Sequence, residues 1–138
     1  YDFIVLDTPP ALNVLTVNAY VAADHLIIPM VPEILSLLGV SQLKETFLAV
    51  QKFYNSKLSI LGILLTKYNG RTILAREVLE MAEKIASQLD TVVLEAKIRP
   101  AVVVAESPAH GTSIFEYAPK SNPAEDYNSL IDEILAKL

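Results

Sequence analysis

An aspartate that closes an apolar run and is followed by a threonine and two prolines is the feature of this sequence best suited to chemistry: residues 1–10 read YDFIVLDTPP. Phe3, Ile4, Val5 and Leu6 form an unbroken apolar run, which predicts a parallel strand buried between two layers of helices, with Asp7 delivered at its carboxyl end. A carboxylate in that position can hold the water shell of a Mg²⁺ ion beside a phosphate, the layout of a Walker B segment. Pro9 and Pro10 would stop the strand and stiffen the loop in which a terminal phosphate is sensed. The same residues also describe an ordinary strand-end aspartate, and the local pattern leaves both readings open.

The elements that would carry this aspartate alternate along the chain. Leu12–Ala23 predicts a short buried helix ended by Asp24, and HLIIP (His25–Pro29) a second short parallel strand. A longer helix opens at Ser36 or Gly39 and runs to Tyr54, with Val40, Leu43, Phe47, Val50 and Tyr54 as its apolar stripe. Asn55-Ser56 breaks it, and SILGILLT (Ser59–Thr66) reads as a strand apolar on both faces. After the turn Tyr68–Thr72, Thr72 is placed as the N-cap of a helix reaching Gln88 that buries Ile73, Leu74, Val78, Met81, Ile85 and Leu89. Val92–Leu94 predicts a further strand. Ala101–Pro108 has helical character with a proline stop, and Asn122–Leu138 a last helix packing Tyr127, Leu130, Ile131, Ile134, Leu135 and Leu138. The alternation of strands and helices predicts an α/β fold, a doubly wound, mostly parallel sheet with right-handed crossovers.

Composition narrows the chemistry. The 138 residues suit one domain, and 52% hydrophobic residues accord with buried parallel strands. No apolar run approaches the roughly 20 residues needed to cross a bilayer, and the absence of cysteine removes disulfides, thiolate metal sites and cysteine-held iron–sulfur clusters. Two histidines, His25 and His110, are too few for a histidine-based zinc site. The net charge of −5 is uneven: residues 1–43 hold four acids and no Lys or Arg, residues 44–99 nine bases and six acids, and residues 100–138 two bases and six acids. A basic middle in an acidic chain is a solvated face that still permits weak contact with DNA.

Three stretches taken together are more specific than any of these: YDFIVLDTPPALNVLTVNAYVAADHLIIPMVPE, SILGILLTKYNGRT, and VVVAESPAHGTSIFEYAPKS followed by an amphipathic terminal helix. They resemble the ParA-type partition ATPases of the P-loop NTPase class. No G-x-x-x-x-G-K-[ST] loop occurs, and Gly39, Gly62, Gly70 and Gly111 stand apart. In that family the phosphate loop lies upstream of Walker B. The resemblance therefore implies that residues 1–138 are the C-terminal part of a single ATPase domain, beginning at the Walker B strand and inactive alone.

The resemblance also assigns roles. Asp7 would support Mg²⁺ through water, and Thr8, Pro9 and Pro10 would form the switch that tells ATP from ADP. Thr66, Lys67, Arg99 and Pro100 would lie at the nucleotide base. The family commonly has Ile-Pro-Arg-Asn where this chain has Ile98-Arg99-Pro100-Ala101, so proline and arginine are exchanged. Arg71 matches one of the arginines through which relatives bind DNA nonspecifically, and Val103 stands where a second is common; Arg76 is a neighbouring candidate. The intact protein would bind ATP and Mg²⁺, form a homodimer, bind DNA in the cytoplasm at the nucleoid, and respond to a ParB-like partner, for which the helix Gly39–Tyr54 is one docking surface. A MinD-like membrane-cycling ATPase is the rival within the superfamily. Its basic terminal helix is not matched by a helix carrying Glu125, Asp126, Asp132 and Glu133, so contact with a membrane is not expected. A noncatalytic α/β interaction module is the rival of another class.

Overall fold

A computed structural model describes residues 1–9 and 11–138. The chain is an α/β structure in which a small parallel sheet is flanked by helices. α1 (Val14–Ala22) leads into β1 (His25–Met30), followed by α2 (Ile34–Phe53), β2 (Ser59–Leu65), α3 (Ile73–Gln88), α4 (Val103–Ala109), α5 (Ile114–Tyr117) and α6 (Asn122–Leu135).

β1 and β2 run parallel, from His25 opposite Ser59 to Met30 opposite Leu65, with a register shift where Leu26 faces Ile60 but Ile27 faces Gly62. The extra residue, Leu61, inverts the alternation of β2. Ile60 before it and Ile63 and Leu65 after it consequently share one core, with Phe47 and Val50 of α2 and Val78 and Ala82 of α3. Leu64 points the other way, into a second core with Leu94, Ala96, Ile98 and Leu130 of α6. Gly62 makes the junction possible: a Cβ there would come within 2.6 Å of the Leu94 Cγ and 3.3 Å of the Val92 carbonyl oxygen.

Local signals hold the helix ends. Asn13 caps α1 through the amides of Leu15 and Thr16, and Thr72 caps α3 through Ala75, as its sequence position predicts. The Asn55 amide group donates to the carbonyls of Tyr20, Val21 and Ala23 at 3.2, 3.2 and 2.7 Å, filling the acceptors at the end of α1. Asn55 therefore ties the loop after α2 to the helix before β1.

Several expectations are corrected. Phe3–Leu6 is neither a strand nor buried; its side chains are 50% to 90% exposed. An apolar run supplies strand propensity, but a strand forms on a hydrogen-bonding neighbour, and among the described residues none pairs with this segment. The Val92–Leu94 strand is reduced to isolated parallel bridges, Ile63 with Val93 and Thr66 with Ile98. α2 begins at Ile34, ahead of Ser36 and Gly39, and Tyr54 is exposed. In α3 the buried face runs through Ala75, Val78, Ala82 and Ala86, with Ile73, Leu74 and Met81 outside, because small side chains let the helix approach β2 closely. In α6, Leu130 is buried and Tyr127 and Ile134 pack beside it, whereas Ile131, Leu135 and Leu138 are exposed.

Candidate nucleotide site

The carboxyl ends of β1 and β2 meet a third segment, and this junction gathers the residues expected at the base. The Met30 carbonyl accepts hydrogen bonds from the Thr66 amide at 2.8 Å and the Thr66 hydroxyl at 3.3 Å. Ile98 donates its amide to the Leu65 carbonyl at 2.9 Å, and its own carbonyl accepts from the Tyr68 amide at 3.0 Å. Thr66–Tyr68 is thus pinned between the end of β1 and Ile98. Lys67 takes the left-handed conformation, φ 51°, which turns the chain sharply at the edge of the sheet. Carboxyl-end loops of parallel strands are where open α/β sheets bind ligands.

Thr66 is half-buried, and Lys67, Arg99 and Pro100 are exposed. The Lys97 ammonium lies 5.9 Å from the centre of the Tyr68 ring. Arg99 is committed to α6: its Nη2 is 2.7 Å from Asp126 Oδ1 and its Nε 3.0 Å from Oδ2, and Nη2 also donates to the Asn122 carbonyl at 3.2 Å. The Arg99 amide donates to Asp126 Oδ2 at 2.9 Å. Two turns further along α6, the Glu133 carboxylate accepts from the amides of Glu95 and Ala96 at 3.0 and 2.9 Å. Burial opposes ionisation of Asp126, but the hydrogen bonds and charge of Arg99 prevail and hold its pKa below the usual aspartate value.

Asp126 and Glu133 are the residues that sequence reasoning missed as part of this edge. By charge alone they belong to the acidic face of the terminal helix; their spacing, which puts them on one side of α6, and the buried alternation Leu94, Ala96, Ile98 are the signals that point to this edge.

The other expected residues stand apart from this junction. Asp7 is exposed and Thr8 half-buried in the irregular segment before α1, where the Thr16 hydroxyl donates to the Ala11 carbonyl at 2.7 Å and holds the turn. Pro9 is exposed, and Pro10 lies outside the described residues. Among the described residues no hydrogen bond or ion pair joins Asp7 to Thr66, Lys67 or Arg99, and no three metal-ligating side chains cluster. A lone carboxylate fits a water-mediated contact to Mg²⁺, an ion that retains several waters and takes its other oxygens from phosphates; it does not make a protein-held metal site. Arg71 is exposed in the turn before α3 and Arg76 on its outer face, whereas Val103 is half-buried in the first turn of α4.

Residues 1–60 match an AAA domain family. Over 137 residues, 99% of this chain, it is 39% identical to the sporulation initiation inhibitor protein Soj of Bacillus subtilis, covering 53% of that protein. It is 36% identical over its whole length to the chromosome-partitioning ATPase Soj of Thermus thermophilus, covering 54% of it. Along its whole length the chain is similar to these Soj proteins. It spans about half the length of these relatives. The α/β architecture of this chain agrees with a solved structure of cobyrinic acid a,c-diamide synthase from Mycobacterium smegmatis, at 32% identity and a TM-score of 0.71, covering 94% of this chain and 44% of that one. The same synthase has also been solved with ADP and magnesium, and matches 69% of this chain and 38% of its own at 38% identity and a TM-score of 0.59.

Proposed function

We propose that this chain serves as the C-terminal part of a DNA-partitioning ATPase similar to the Soj proteins. The convergence of Thr66–Tyr68 and Ile98–Pro100 at the carboxyl edge of the parallel strands carries the reading, because it is a loop-built ligand edge in a chain similar along its whole length to chromosome-partitioning proteins. Thr66, Lys67 and the main chain of Arg99 and Pro100 line the base of ATP. Asp7 holds the water shell of Mg²⁺, with Thr8, Pro9 and Pro10 as the switch. When bound, Mg²⁺ neutralises the phosphate oxygens. The intact protein binds ATP between two subunits, binds DNA nonspecifically through Arg71 and Arg76 as that dimer, and is released when a ParB-like partner stimulates hydrolysis.

The acidic side chains of α6 support this reading over a membrane-cycling role: Asp126 and Glu133 are turned inward to hold backbone. The test is a fluorescent ATP titration, with and without Mg²⁺, on residues 1–138 and on the longest product of the gene. Mg²⁺-dependent binding and DNA-stimulated or partner-stimulated hydrolysis by the longer product, with none by residues 1–138, supports the ATPase reading. Absence of nucleotide binding by both favours a noncatalytic interaction module.

A further inference from the structure

We propose that Asp126 of α6 is a positioning residue for nucleotide-base recognition, acting through the segment Glu95–Pro100, with Glu133 as its second anchor. The inference rests on the assignment of that segment to the base. Glu95–Arg99 lies between two supports. On the sheet side, Ile98 exchanges hydrogen bonds with Leu65 and Tyr68; on the helix side, the amides of Glu95 and Ala96 end on Glu133 and that of Arg99 on Asp126. Four of the five amides in this stretch are therefore claimed by fixed acceptors, two of which are carboxylates on one face of α6. Charged acceptors make the stronger and shorter hydrogen bonds.

The Arg99 side chain completes the anchor. Its fork closes on Asp126 and the Asn122 carbonyl, while the Asp126 side chain is 11% exposed against 47% for Arg99. A guanidinium held in this way is turned toward the helix, so the edge presents main chain at Arg99 and a rigid ring at Pro100. Arg99 stands where its side chain reaches Asp126, and Pro100 follows it in the chain. Geometry at the base then depends on a carboxylate that itself stays on the helix side, and a displacement of about 1 Å in a positioning element costs up to about a hundredfold in function.

The experiment compares the intact wild-type protein with Asp126→Ala and Asp126→Asn, reading dissociation constants for fluorescent ATP and GTP, kcat and KM for ATP, and melting temperature. The expected result is an approximately tenfold weaker ATP affinity and a narrowed ATP-to-GTP preference for Asp126→Ala, with kcat at saturating ATP within about twofold of wild type. Asp126→Asn keeps an acceptor for the Arg99 amide and is expected to recover most of the affinity; Glu133→Ala, which frees the amides of Glu95 and Ala96, is expected to weaken ATP affinity and narrow the preference likewise, and carries the test should Asp126→Ala fail to fold. A lower melting temperature with unchanged affinity and preference overturns the inference alone. Wild-type protein that binds neither nucleotide overturns the functional reading and the inference with it.

Discussion

Arg99 and Asp126 meet fork to carboxylate, Nη2 to Oδ1 at 2.7 Å and Nε to Oδ2 at 3.0 Å, and the same Asp126 also accepts the Arg99 backbone amide at 2.9 Å. One side chain of α6 thus fixes both the side chain and the main chain of a residue 27 positions earlier. The pair ties the terminal helix to the segment that packs in the second core, and it gives stability a pH dependence. The Asp126 pKa is lower folded than unfolded, so its contribution is complete above the ordinary aspartate range and is lost as pH falls through the folded-state value. Melting curves of wild type and Asp126→Asn should therefore differ most near neutral pH and converge in strong acid. Because Arg99 is half-exposed, added salt should narrow the difference.

Gly62→Ala should destabilise the chain by about 1–3 kcal/mol, the usual cost of overpacking a close-packed site. The new methyl would meet Leu94, which is 0% exposed and has nowhere to retreat, and would press on the Val92 carbonyl. Urea denaturation with an unchanged m-value checks the prediction.

Asn55→Ala should cost about 1–2 kcal/mol, because removing one amide group deprives carbonyls at the end of α1 of their donor. Hydrogen exchange should show faster opening of α1 than of α3. Thr72→Ala should cost about 1 kcal/mol and produce the opposite pattern, since its hydroxyl caps α3.

Asp7→Ala, made in the longest product of the gene, should reduce ATP hydrolysis by about a hundredfold or more while leaving the melting temperature of residues 1–138 unchanged within error. The exposed position of Asp7 in this chain makes a structural cost small. Hydrolysis at wild-type rate would remove Asp7 from the metal's water shell.

Arg71→Ala should weaken DNA binding by the nucleotide-bound protein and lower the slope of log affinity against log salt by about one unit, the signature of one lost phosphate contact. Its exposed place in the turn before α3 leaves the guanidinium accessible. An unchanged slope in a filter-binding or anisotropy titration would rule the contact out.

The parts legible from sequence are those whose causes are local. Composition placed α1, and apolar patterning α3 and α6, within a few residues; Thr72 marked the start of α3, and the apolar runs His25–Pro29 and Ser59–Thr66 became β1 and β2. The expected burial of α1 is corrected: it buries only Thr16 and Tyr20 and leaves Val14 and Leu15 exposed, its apolar residues having too little packed against them. Likeness to ParA-type proteins was legible because three separated stretches carry it. Tertiary structure decided matters that depend on a partner. Phe3–Leu6 has the composition of a buried strand yet pairs with no strand among the described residues, since backbone hydrogen bonds between strands require a neighbour that no run of side chains specifies. The face that α3 buries was set by how closely its alanines allow β2 to approach. Asp126 and Glu133 looked like solvated acids because charge and period alone say nothing of which backbone amides lie opposite. Packing α6 on Leu94, Ala96 and Ile98 brought those amides within reach and turned two surface-type residues into anchors.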